Sequence, residues 1–253
     1  GGSGLEAAMP TWVQAGGYRK WAERLKDPKI RDRVKSEMGV NTQEWENLGY
    51  LATPDGMVFL EFKNEALHKY VGKTLAEVAT ERGQDPRDTI IDLVLEDGSR
   101  VSTAYYLMSE ENLKKQMRQP WVMFGSDATA PAAEGRALNS GVHPRTYGNV
   151  ARLLGKYVRE EKVLAMEEAI RKLTLLPAQS LGIRERGRIK LGYFADIAIF
   201  DPDAIEDKAT FSTPHQYSVG MEHVLVNGQP VVFEGRHTGA RPGRAIRGSG
   251  WMR

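Results

Sequence analysis

The run Trp121-Val-Met-Phe-Gly125 is a short apolar stretch that leads directly into Ser126-Asp127, and no regular pattern resumes until about Tyr147. A short apolar run bounded by turn residues reads as a buried strand. The helix that Ser109 caps, with Leu113 and Met117 on its apolar face, would feed it. A carboxylate at the carboxyl end of a buried parallel strand stands where α/β barrels open their loops to solvent and set catalytic groups. Asp127 is therefore the first candidate for catalysis. Ser-Asp after a strand is also a common turn or helix cap, so the weight comes from the residues beyond it. The irregular stretch after Asp127 is rich in Ala, Gly and Pro, longer than connections usually are without a task, and carries His143-Pro-Arg145.

Composition narrows the class. With 253 residues, 41% of them hydrophobic, the chain can bury one large core or two modest ones. The 35 basic and 33 acidic residues nearly cancel to +2, which gives no electrostatic reason for nucleic acid or an anionic membrane as partner. Cysteine is absent, so disulfides and thiolate metal ligands are excluded. No apolar run approaches the ~20 residues that span a bilayer, and no basic-then-apolar leader opens the chain. The expected location is cytoplasmic. Arg236, Arg241, Arg244, Arg247 and Arg253 lack interleaved aromatics and read as a solvated tail rather than a nucleic-acid arm.

Along the chain, Tyr18, Trp21 and Leu25, then Ile30, Val34 and Met38, mark two helices within residues 18–38. Asp27-Pro28 starts the second, because Asp accepts the free amide bonds and Pro at the first position loses none. A strand is expected at residues 57–62, a helix at 74–82, another from Asp85-Pro86 to Asp97-Gly98, and a strand at 101–107. Beyond the long loop come helices near 150–160 and 165–173 and a third closing on Gly182. From residue 186 the pattern turns to β, with strands at 195–200 and 224–226. Asn227-Gly228 marks a two-residue hairpin that needs positive φ at both positions.

Several motifs fall in one order along the chain: Pro10-Thr-Trp12 with Gly16-Gly17, Arg24-Leu-Lys-Asp-Pro28 with Arg31, Gly125-Ser-Asp127, His143-Pro-Arg145-Thr-Tyr-Gly148, Leu176-Pro177-Ala178, Gly187-Arg-Ile-Lys-Leu-Gly192-Tyr-Phe-Ala-Asp196 and Thr238-Gly-Ala-Arg241-Pro-Gly-Arg244. Together, over residues 10–247, they resemble the N-acyl-D-amino-acid deacylases (D-aminoacylases) of the amidohydrolase superfamily. The resemblance implies the C-terminal half of a metal-dependent (β/α)₈ barrel with a helical insertion and a small β-sandwich. Residues 1–17 would be a barrel segment and 18–118 the insertion. Residues 119–185 would carry the last barrel strand, the active-site loop and its helices, and 186–253 the small β domain with the tail. It also implies hydrolysis of N-acyl-D-amino acids with zinc as cofactor. Such enzymes hold their metal with a His-x-His pair and further histidines. His68, His143, His215, His223 and His237 form no such pair, so the zinc would be held mostly by an N-terminal half supplied as a second chain. The opening Gly1-Gly-Ser-Gly-Leu5 fits the family's own sequence, which favours a cut or split protein over a linker. A chain alone would then be inactive.

Amide hydrolysis needs an activated water and an acid for the leaving amine, and one positioned carboxylate can serve both steps. By the resemblance, Asp127 is that group and also touches the metal. Arg145 offers a planar fork that meets a substrate carboxylate with two parallel bonds, or it pairs with a neighbouring acid on the surface. His143 lines the substrate pocket or merely caps the loop. Two other readings stay open: a cyclic amidohydrolase such as a dihydropyrimidinase or dihydroorotase, and a non-catalytic lobe or assembly subunit.

Overall fold

The computed structural model describes residues 2–139 and 141–248. Packing divides the chain into two compact units, Gly1–Met108 with Glu134–His143, and Ser109–Ala133 with Pro144–Arg253.

In the first unit, polar residues at helix starts set where the chain turns. Helices α1 (Thr11–Gln14) and α2 (Tyr18–Leu25) precede α3 (Pro28–Met38), where the Asp27 side chain accepts the Lys29 N–H at 2.9 Å. After α4 (Leu48–Ala52), Thr74 and Glu77 form a reciprocal capping box at α5 (Leu75–Arg82). Asp85 caps α6 (Pro86–Asp97) from the Arg87 N–H at 2.8 Å. Each such cap is worth about 1 kcal/mol. Three strands, β1 (Gly2–Gly4), β2 (Met57–Glu61) and β3 (Ser102–Tyr105), form an antiparallel sheet in the order β1-β3-β2. The core between sheet and helices buries Leu5, Met9, Trp21, Phe59, Leu75 and Ile91. Strand β1 has no β signature in its Gly-Ser-Gly sequence. Its pairing comes from the edge that β3 offers.

The second unit opens with α7 (Glu110–Met117), capped by the Ser109 hydroxyl. It then carries α8 (Arg145–Arg152), which runs on into a π-helical stretch, Leu153–Glu160. Helices α9 (Met166–Leu173) and α10 (Leu175–Ser180) come next. The strands β4 (Ile197–Phe200), β5 (Met221–Val226), β6 (Gln229–Phe233) and β7 (Arg236–His237) form an antiparallel sheet in that order. Asn227 and Gly228 have φ of 51° and 80°, the two positive values that the hairpin between β5 and β6 demands. Arg236, Arg241, Arg244 and Arg247 are solvent-exposed, and Arg253 lies outside the described residues.

Two expectations change. Residues 121–125 alternate exposed and half-buried positions, the period of a strand, but they join neither sheet. A strand is made by a neighbour that takes its ladder hydrogen bonds, and among the described residues none runs beside this segment. The long loop also ends sooner than its composition suggests, since the helix begins at Arg145, directly after Pro144. Among the described residues no helix is long and apolar enough to cross a membrane.

Candidate active site

Asp127 sits at φ 47°, in the left-handed region that non-glycine residues seldom enter. Aspartate tolerates it better than most, and such backbone persists only where its surroundings hold it. The segment ahead of Asp127 is anchored at several points. Ahead of Asp127, Phe124 packs against the cluster of Met117, Leu153, Tyr157 and Val163. Lys172 of α9, wholly buried, donates its ammonium to the carbonyls of Met117 and Gln119 and lies 5.7 Å from the Phe124 ring centroid. The neighbouring Arg171 donates to the Pro120 carbonyl at 2.7 Å. Burial pushes the Lys172 pKa down from its usual range. A buried ammonium is tolerable only with its protons hydrogen-bonded, so α9 fixes three carbonyls of the segment that leads to Asp127.

Arg145 is the first residue of α8, and its Nη2 donates to Asp127 Oδ2 at 2.8 Å. The Asp127 side chain is 89% exposed and that of Arg145 34%. An ion pair this open adds at most about 1 kcal/mol to stability. Its effect is on position: one oxygen of the carboxylate is fixed while the side chain faces solvent. Helix α8 is itself seated tightly. A Cβ on Gly148 would lie 2.8 Å from the Asp207 Cβ, so only glycine permits that approach. Arg152 reaches Asp207 at 3.1 Å on the same side.

The structure thus brings Asp127 and Arg145 together. His143 is partly buried and belongs to the first unit, where it closes the returning segment Glu134–His143. Three of the other four histidines bond locally: His68 Nε2 contacts the Phe62 carbonyl at 3.0 Å, while His223 and His237 accept the amides of Glu234 and Gly239; His215 packs its ring on Tyr147. No group of three or more His, Asp or Glu side chains among the described residues is arranged to hold a metal. A cavity of about 600 Å³ in the first unit, lined by Met38, Tyr50, Leu75 and Ile90 among others, contains none of the candidate residues.

Lys172 is not among the residues that the sequence singles out, although a signal exists. It stands at i+3 from Ala169 and beside Leu173, on the stripe that faces inward. A lysine on an apolar stripe either snorkels to solvent or, as here, is buried with its protons hydrogen-bonded.

Known proteins share these stretches of the chain. A family model described as "Amidohydrolase family" matches residues 71–232. Over 176 residues the chain is 37% identical to N-acyl-D-glutamate deacylase of Alcaligenes xylosoxydans xylosoxydans, covering 70% of this chain and 33% of that protein. It is 35% identical over 175 residues to D-aminoacylase of the same organism, covering 69% and 34%. A shorter match, 82 residues at 36% identity, links 32% of this chain to 18% of a dihydroorotase of Lactobacillus acidophilus. Among solved structures, N-acyl-D-glutamate deacylase from Bordetella bronchiseptica, complexed with zinc and a phosphonate inhibitor, superposes with a TM-score of 0.59 at 32% identity. That match covers 75% of this chain and 38% of the other. The chain spans about a third of the length of the curated deacylases it matches. With the family model covering most of the chain, and with α/β content like that of the deacylases, the chain belongs to the amidohydrolase family.

Proposed function

We propose that this chain is the C-terminal portion of a zinc-dependent amidohydrolase that cleaves the amide bond of N-acyl-D-amino acids to a D-amino acid and a carboxylate. The observation that carries the reading is the Asp127–Arg145 pair: a solvent-facing carboxylate on a left-handed turn, steadied through one oxygen. In this reading residues 1–17 and 119–185 belong to the end of a (β/α)₈ barrel, 18–118 are the insertion, and 186–253 form the small β domain, in a cytoplasmic enzyme. The antiparallel sheet β4–β7 supports the last assignment.

Asp127 takes a proton from the attacking water as oxygen adds to the amide carbon. It returns that proton to nitrogen as the carbon–nitrogen bond breaks, so the carboxylate ends as it began. Arg145, bonded to Asp127 through Nη2, carries a planar guanidinium fork whose geometry suits a substrate carboxylate. His143 is the further candidate for substrate binding. Zinc in such a centre polarises the amide carbonyl and acidifies water. Among the described residues no set of side chains fits a zinc site by itself, and Asp127 offers only a single ligand group. No step here is therefore routed through the metal, and its histidine ligands would come from an N-terminal half acting as partner.

A cyclic amidohydrolase remains the second enzyme reading, supported by the dihydroorotase match. That match spans less than half the residues of the deacylase matches. A non-catalytic lobe is the third. Assaying the intact protein on N-acyl-D-amino acids and on dihydroorotate separates all three. Turnover of the first supports the proposal, turnover of dihydroorotate alone moves it to the second reading, and neither leaves the third.

A further inference from the structure

The loop of residues 210–219, between β4 and β5, is braced from within and touches both limbs that carry the candidate pair. At its base, Glu206 and Val219 exchange backbone hydrogen bonds at 3.2 and 3.0 Å. Inside it, the Gln216 side-chain amide donates to the carbonyls of Lys208 and Thr213, each at 2.9 Å. Thr210 and Thr213 hydroxyls meet at 2.7 Å. These bonds tie the loop to itself and to its own base.

Its outward contacts are made by two consecutive residues. The Tyr217 hydroxyl accepts the Ala133 N–H at 2.8 Å, six residues into the loop that starts from Asp127. The Ser218 hydroxyl donates to the Tyr147 carbonyl at 2.8 Å, within the first turn of the helix that starts at Arg145. The Tyr147 ring lies edge-on to Tyr217, with centroids 5.7 Å apart and planes at 81°. It also packs on His215 at 5.9 Å.

We infer that Tyr217 and Ser218 are positioning residues of the active site: one hydroxyl holds the Asp127 limb, the other the Arg145 limb, and their adjacency in sequence fixes the separation of the two. Neither touches substrate. The sheet β4–β7 thereby takes part in the reaction, through the loop it supports. This inference rests on the hydrolase reading for its kinetic consequence, and on the contacts alone for its structural one.

The intact protein carrying Tyr217→Phe, Ser218→Ala, both together, or Ser218→Thr tests it. Amide hydrogen exchange reads the ties directly. Tyr217→Phe should speed exchange at Ala133 by about tenfold, Ser218→Ala should speed it across the first turn of α8, and Ser218→Thr, which keeps a hydroxyl, should not. On an N-acyl-D-amino acid, Tyr217→Phe should lower kcat about 10-fold with KM within about twofold, while Ser218→Ala, which loosens the Arg145 clamp, should lower kcat and also raise KM severalfold, both with an unchanged melting temperature. The double variant should lose less than the product of the singles, since both act on one geometry. Unaltered exchange overturns the inference, and so does faster exchange with unchanged kcat. An unmodified protein without turnover sinks the hydrolase reading instead, and exchange alone then decides the ties.

Discussion

Arg145 Nη2 and Asp127 Oδ2 lie 2.8 Å apart, joining the first residue of a helix to a residue in left-handed backbone eighteen positions earlier. The pair is exposed, so its worth is not stability. It restricts where the carboxylate can point, which is what proton transfer over a short, directed path requires. In the proposed reaction the same guanidinium sits beside the proton-transferring carboxylate and is the group offered to the substrate carboxylate.

Arg145→Lys keeps the charge and loses the planar fork. We predict a rise in KM of about 10-fold or more for an N-acyl-D-amino acid, and a smaller rise for its carboxamide, which has no carboxylate to clamp. Steady-state kinetics on the two substrates measures the difference. Equal losses on both would assign Arg145 to holding Asp127 alone.

Lys172→Met preserves length and apolar bulk but removes the donors to the Met117 and Gln119 carbonyls. With each stranded carbonyl costing ~1–3 kcal/mol, the loss should total about 2–6 kcal/mol in denaturant unfolding. A loss well under 1 kcal/mol would mean the two carbonyls find other donors.

Local signals made much of the fold legible in the sequence, while features that depend on distant partners were not. Asp27-Pro28, Asp85-Pro86 and the Thr74 box mark their helix starts, because caps act within a turn. Asn227-Gly228 marks its hairpin for the same local reason. Residues 121–125 carry the apolar pattern of a strand, yet pairing is a property of the neighbour and not of the segment. Asp127 and Arg145 both stand out in the sequence, but not their contact, since nothing in the spacing across a long loop reports a hydrogen bond. Lys172, Tyr217 and Ser218 act by holding carbonyls or an amide of distant residues, for which sequence has no motif.

Asp85 gives the first unit an acid-sensitive cap. Its hydrogen bonds with the Arg87 guanidinium and amide hold its pKa down to about 2. Because the folded value is depressed, the stabilisation is complete above the ordinary carboxylate value near 4 and is lost as pH falls from there towards about 2. Asp85→Asn keeps the cap and should flatten that slope. Asp85→Ala should also lose the cap, at a cost of about 1 kcal/mol. Unfolding midpoints from pH 5 to pH 2 check both, and an unchanged slope in Asp85→Asn would contradict the assignment.

The 253-residue chain on its own should not retain zinc. One carboxylate without histidine partners holds a divalent transition metal weakly. Elemental analysis after dialysis should find well under one equivalent, and a full equivalent would mean that this chain assembles a site by itself.

Proton transfer by Asp127 is tested most directly by Asp127→Asn in the intact enzyme. Asparagine suits the left-handed backbone at this position, so the melting temperature should hold. It cannot take up a proton at neutral pH, so kcat on an N-acyl-D-amino acid should fall by ~10²- to 10⁴-fold with KM little changed. Near-normal turnover by a folded Asp127→Asn enzyme would contradict that role.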